Sequence, residues 1–261
     1  MKEKYLIAPL VLLLICWNVP GNTWLVEKHK GYTLLYTAND KQDISFYKKF
    51  IDKDIKAVEA FFDSGYRKEF NVFIHPNRHS LDSAFQKDWN MAGYKSECWM
   101  VASGIATQLD MIAPARWDKE ACEHRYMDTL QTEQLIMHEL VHVYHGQRNR
   151  SPDFSKTEGI DWFVEGLVTF ASGQCGTERI VAIKKAITGN TVPATLDNFW
   201  TGNMKYGLSG SVVMFIDNKY GRATLKKLLP LTNKQEILTL LNTTETALLK
   251  EWKKYIQAYH S

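Results

Sequence analysis

Met137-His138-Glu139-Leu140-Val141-His142 decides how this chain is read. On a helix, residues four apart share a face with Cβ atoms about 5–6 Å apart. Imidazoles at His138 and His142 can therefore close on one Zn²⁺ at roughly 2.0–2.1 Å each. Glu139 directly follows the first ligand, so its carboxylate can lie beside a water on the metal and not on the metal itself. Zinc lowers the pKa of such a water from about 15.7 towards about 7, and a neighbouring carboxylate can take its proton during attack on a carbonyl. Leu135, Ile136, Leu140, Val141 and Val143 make the helix apolar on most sides, which implies burial. A buried His-Glu-His set with no metal would be costly to desolvate.

Hydrolytic zinc sites usually take three protein ligands and leave one position open. In the pattern H-E-x-x-H-x-x-G-x-x-H the third is a histidine. Here the glycine and histidine positions hold His145 and Arg148, so that pattern fails. A second arrangement takes a glutamate from another helix some twenty residues on. Asp161-Trp162-Phe163-Val164-Glu165-Gly166-Leu167-Val168-Thr169-Phe170 fits it, with Trp162, Glu165, Val168 and Thr169 at helical spacing. A glutamate in so apolar a run needs a partner, and a metal is a good one. The plainer alternative is a half-exposed glutamate on an amphipathic helix.

With H-E-L-V-H-V-Y-H followed by W-F-V-E-G-L-V-T-F, the chain resembles the gluzincin metallopeptidases, the thermolysin and aminopeptidase N clan, and most closely their bacterial peptidase MA-like domains. The run from Tyr206-Gly207 to Tyr220-Gly221 looks like the helix that follows the glutamate ligand in those domains. The resemblance implies that Tyr206 donates to the oxyanion of the tetrahedral intermediate, a contact worth about 2.7–4 kcal/mol. An aromatic residue packed at a helix start is the other reading of Tyr206. Aminopeptidases of the clan carry a G-x-M-E-N segment upstream, whereas this chain reads Ala102-Ser103-Gly104-Ile105-Ala106-Thr107-Gln108-Leu109-Asp110 there. The departure points away from an aminopeptidase and leaves an endopeptidase or a specialised hydrolase.

The chain has 261 residues, enough to bury a sizeable core, and its 45% apolar and 23% charged content is that of an ordinary globular protein. A formal net charge of +3 gives no electrostatic case for nucleic acid. Met1 to Tyr5 holds two lysines, Leu6 to Trp17 is almost wholly apolar, and Val19-Pro20-Gly21 offers a cleavage point. Residues 1–21 thus read as a secretory signal peptide. The apolar run is short of the roughly 20 residues that span a bilayer, so an uncleaved anchor is the lesser alternative and the only route to membrane association. Export follows, to the periplasm or the outside or held at the N-terminus. Bulky Ile15 before Cys16 weakens a lipid anchor. Of Cys98, Cys122 and Cys175, the first two can form a disulfide, though spacing does not prove it.

Residues 22–150 are read as an α+β zincin-like part, a small mixed sheet with the H-E-x-x-H helix. Residues 151–261 are read as a helical lobe carrying the third ligand. Gly31 to Thr37 and Phe70 to Ile74 are expected strands. Between them Asp43 is placed as the cap of a helix through Phe62 that Gly65 ends. His75 and His79 fall in the following loop and are expected to be solvated. Ala106 to Ile112 alternates like a strand, and in zincins a strand in this place forms the sheet edge along which a peptide lies. Helical spacing recurs in Thr177 to Ile187, Tyr206 to Tyr220, Arg222 to Leu229 and Thr244 to Tyr259. Phe199 and Trp200 either wall the cleft or belong to the core.

The sequence therefore points to a zinc-dependent peptidase of peptides or proteins: His138, His142 and Glu165 bind Zn²⁺, Glu139 activates water and Tyr206 stabilises the oxyanion. The competing reading is a zinc-stabilised, inactive module that binds peptides or cell wall. Glu139 speaks against it, because a purely structural site needs no base.

Overall fold

A computed structural model describes residues 18–19 and 22–259. The expected leader at 1–21 and Cys16 thus fall outside the described residues, apart from Asn18–Val19. That pair forms β1, which lies antiparallel against the start of β2 (Asn22–Lys28). β3 (Tyr32–Thr37) returns antiparallel to β2. α1 (Ile44–Phe62) crosses over to β4 (Phe70–His75), which runs parallel to β3. α2 (Arg78–Asp88) precedes a hairpin of β5 (Ala102–Ile105) and β6 (Gln108–Ile112), and α3 (Trp117–Glu120) is one short turn. The strand order is β1-β2-β3-β4-β6-β5, a mixed sheet with β6 parallel to β4 and antiparallel to β5.

α4 (Thr129–Gly146) carries the H-E-x-x-H residues, and Asp128 caps it by accepting from the Gln131 N–H at 2.9 Å. The remaining chain is helical: α5 (Asp161–Ala171), α6 (Thr177–Thr188), α7 (Lys205–Tyr220), α8 (Arg222–Leu228), α9 (Lys234–Leu240) and α10 (Glu245–Ala258). One hydrophobic cluster runs from Tyr32 to Ile256. α5 and α7 cross closely because small residues meet there: a Cβ on Gly166 would stand 2.4 Å from the Ser209 carbonyl oxygen. That approach fixes the height of Glu165, one residue earlier. Among the described residues no helix is long and apolar enough to cross a membrane.

Several expectations need correcting. β6 is not the sheet edge; it is paired on both sides, and β5 takes the edge. The chain turns back at Ala106-Thr107, so the four-residue β5 shields the longer strand. Asp43 makes no side-chain cap on α1, and Gly65 does not end it. Asp63 does, in the left-handed conformation (φ 49°) that Asp tolerates better than most residues. His75 is buried, not solvated: its Nε2 lies 2.8 Å from Asp110 Oδ1 and its Nδ1 2.9 Å from Ser80 Oγ. His79 is exposed as expected. The supposed loop around it is α2, capped by Asn77, which buries only the narrow stripe Leu81, Asp82 and Phe85 and so gives little apolar period. α9 also escapes the sequence reading. Phe199 and Trp200 divide between the two roles offered: Phe199 is buried against Trp252, while Trp200 lines the cleft.

Candidate metal centre

α4 and α5 lie side by side, each buried on most of its surface. His138 and His142, a turn apart on α4, face the cleft, and Glu165 reaches them from the middle of α5. Their ligand atoms all lie within 4.8 Å of one another. Glu165 Oε2 is 3.6 Å from His138 Nε2, and its Oε1 is 3.6 Å from His142 Nε2. These separations are too long for hydrogen bonds. They match the spacing of donors that share an ion instead, since tetrahedral ligands at about 2.0–2.1 Å stand roughly 3.3 Å apart. Two imidazoles and one carboxylate are the donor set of a hydrolytic zinc site with an open fourth position. The residues present fit Zn²⁺.

A polar partner behind the His138 ring supports that fit. His138 Nδ1 is 2.8 Å from Gln174 Oε1, an acceptor, so Nδ1 carries the proton and Nε2 is free to ligate. Gln174 follows α5, 36 residues from His138, and no local spacing announces it. His142 Nδ1 is buried and among the described residues has no such partner; its ring packs on Phe154 at 5.9 Å. Burial pushes the Glu165 carboxyl up, but the two imidazoles outweigh it and hold the group well below the usual carboxylate range.

Glu139 is 8% exposed and sits on the same turn, beside the ligands rather than among them. Burial raises its carboxyl above the ordinary value, opposed by His138, His142 and the N–H of Gly104. A carboxylate moved towards neutrality is a better proton acceptor at working pH than a free glutamate. Gly104 is a second residue that the sequence reading passes over. A Cβ there would stand 2.3 Å from the Glu139 carbonyl oxygen, so β5 can press on α4 only with glycine. A glycine inside a strand is the signal that marks such an approach.

Tyr206, at the start of α7, places its ring centroid 6.3 Å from that of His138, and burial raises its hydroxyl, so it is a proton donor at neutral pH. His145 and Arg148 stay away from the centre. His145 lies 3.1 Å from the Leu229 carbonyl oxygen, burial pushing it down to about 3, and Arg148 stacks on Tyr144.

His138, Glu139, His142, Glu165, Gln174 and Tyr206 open on one cleft of roughly 640 Å³ between β5 and the starts of α6 and α7. Its floor is His138, Glu139, His142 and Glu165, and β5 forms one wall. The Cys98–Cys122 disulfide brackets the β5–β6 hairpin. Arg78 clamps the same loop, donating to Ser96 Oγ at 2.7 Å and to the carbonyls of Glu97 and Met100 at 2.9 and 2.8 Å.

The chain matches no family model, and no curated protein matches it. Among solved structures it is similar to an M1 zinc metallopeptidase from Deinococcus radiodurans, with a TM-score of 0.48 and 14% identity over 95% of this chain and 52% of that one. A two-domain M1 zinc metallopeptidase bound to L-arginine gives a TM-score of 0.44 and 14% identity, over 93% and 50%. The chain spans about half the length of those proteins.

Proposed function

We propose that this protein is a zinc-dependent hydrolase that cleaves peptide bonds. The observation that carries the reading is the convergence of His138, His142 and Glu165 within 4.8 Å, with Glu139 beside them at the floor of an open cleft. Zinc held by these three residues supplies Lewis acidity and a water acidic enough to attack at neutral pH.

Each residue has a task. Glu139, buried and among the described residues facing no cation but the two imidazoles, takes the proton of the attacking water and delivers it to the departing amine. The Tyr206 hydroxyl donates to the oxygen on which negative charge develops. Gln174 holds the His138 tautomer. β5, one edge of the described sheet, offers main-chain groups to an extended peptide.

The protein also belongs outside the cytoplasm on this reading. The sequence of residues 1–21 supports it, and so does the Cys98–Cys122 disulfide, a bond that persists in oxidising compartments.

The test pairs metal analysis with one substitution. Purified protein carries about one zinc per chain, and Glu139→Gln keeps that zinc while losing at least about a thousandfold in kcat/KM on a peptide library, more than a positioned base alone supplies at the low end. Zinc below about a tenth per chain overturns the metal centre. Equal turnover by wild type and Glu139→Gln overturns the hydrolase and leaves a binding module.

A further inference from the structure

Most cations that fold back onto this chain meet a carboxylate: Arg150 pairs with Glu236, Arg222 with Asp217, Lys219 with Glu251 and Lys234 with Asp197. Two half-buried cations in the cleft do not. Arg179, in the first turn of α6, donates Nη1 to the Gln174 carbonyl at 2.8 Å and lies 5.3 Å over the Tyr206 ring. Lys205, the first residue of α7, holds its ammonium 4.8, 4.6 and 5.2 Å from the ring centroids of Trp99, Trp200 and Tyr206. Among the described residues neither has a carboxylate within ion-pair distance. Aromatic faces attract these charges but leave their donors unspent.

The position gives the pair a purpose. Both line the cleft at its Tyr206 end. Asp153 and Asp161 line it together with Phe154, the residue packed on His142. Glu123 also lines the cleft and is exposed. The two cations without carboxylate partners give the Tyr206 end of the cleft a place for an anionic group, so an extended ligand that carries one is bound in one direction. A carboxylate is the ligand that matches: a guanidinium offers it a planar pair of donors, and the ammonium a compact charge.

We propose that Arg179 and Lys205 form a carboxylate subsite, so that the favoured substrates are peptides carrying a carboxylate close to the scissile bond. The proposal rests on the peptidase reading above. Two sources can supply that carboxylate, a peptide C-terminus or the side chain of Asp or Glu.

Matched peptides separate them: one apolar peptide with a free or an amidated C-terminus, and one end-blocked peptide with a single Glu or Gln. The zinc-loaded full chain is expected to favour the carboxylate member of at least one pair by about tenfold or more in kcat/KM, the size of one charge-assisted hydrogen bond. The pair that responds identifies the source. Arg179→Gln and Lys205→Met each bring that ratio close to one. A wild-type ratio near one overturns the subsite. So does a ratio that survives both substitutions while all rates fall together, which is how a purely structural Trp99–Lys205–Trp200 clamp behaves. If no peptide is cleaved, the hydrolase reading fails on its own. The same peptides are then titrated against zinc-loaded Glu139→Gln protein, where a Kd ratio of about ten keeps the subsite and a ratio near one removes it.

Discussion

The metal wall and the rim that faces it are built on opposite terms. α4 buries its cleft-facing residues to the point that His138, Glu139 and His142 are each less than a tenth exposed, while the Glu165 side chain on α5 is half-buried. Across the mouth, Trp89 and Trp99 line the cleft and are each 37% exposed. The wall is ordered by packing and backbone contact. The rim is ordered by tethers: a disulfide, the Arg78 clamp and a lysine among three aromatic rings. On the proposed function, the chemistry belongs to the tightly packed wall and recognition to the exposed rim.

Substitutions at the boundary between the two regions test that division. Tyr206→Phe is expected to have the largest effect, lowering kcat about 10²- to 10³-fold with zinc content unchanged, as for loss of one oxyanion donor. A rise confined to KM, with kcat unchanged, would place Tyr206 with the rim instead. Gly104→Ala comes next. Its Cβ meets the Glu139 carbonyl oxygen at 2.3 Å, and neither backbone can yield cheaply. A shift of the base should cost about 10²-fold in kcat, with roughly 1–3 kcal/mol of stability read by urea unfolding. Near-wild-type kinetics would show that β5 floats free of the wall.

Gln174→Ala should weaken zinc by about 10- to 100-fold in a chelator competition, because His138 loses the acceptor that fixes its tautomer. The smallest effect lies behind the wall, where α1 packs on α4. Asp54 there is buried with Oδ2 unpartnered, and burial, reinforced by Glu133, pushes its carboxyl up to about 8. An unfolded Asp titrates near 3.9. Between these values the folded chain keeps a proton that the unfolded chain has lost, so this group costs stability progressively as pH rises from about 4 to 8. Asp54→Asn removes that slope and should add roughly 1–3 kcal/mol at pH 8 and much less at pH 4.5, by urea unfolding at both. A gain equal at the two pH values would show that Asp54 is already ionised in the folded chain.

Legibility in the sequence divides along the same boundary. Period 3.6 in two apolar runs was enough to place His138, Glu139, His142 and Glu165 on adjacent helices, because burial forces the pattern. The strands at 32–37 and 70–75 and the helix between them follow from the same rule. What escaped lies in contacts between distant segments: Gln174 behind His138, Gly104 against Glu139, Lys205 among Trp99, Trp200 and Tyr206. No spacing encodes these, since Gln174–His138, Gly104–Glu139 and Lys205–Trp99 each pair residues tens of positions apart. His75 was misread for the same reason; its partner Asp110 is 35 residues away, and only the β4–β6 register brings them together. α2 was missed because a helix that buries three side chains writes too weak a period.

The shortness of β5 sets a limit on how any guest chain is held. Ile112 donates to the Val101 carbonyl at 2.9 Å, and the register then alternates, so only Ala102 and Gly104 turn their main-chain groups away from β6. The Gly104 N–H is already aimed at Glu139. Three groups remain for a visitor: both of Ala102 and the carbonyl of Gly104. So brief a ladder gives weak grip and little discrimination by backbone alone, which leaves the choice of cargo to whatever projects from it on either flank.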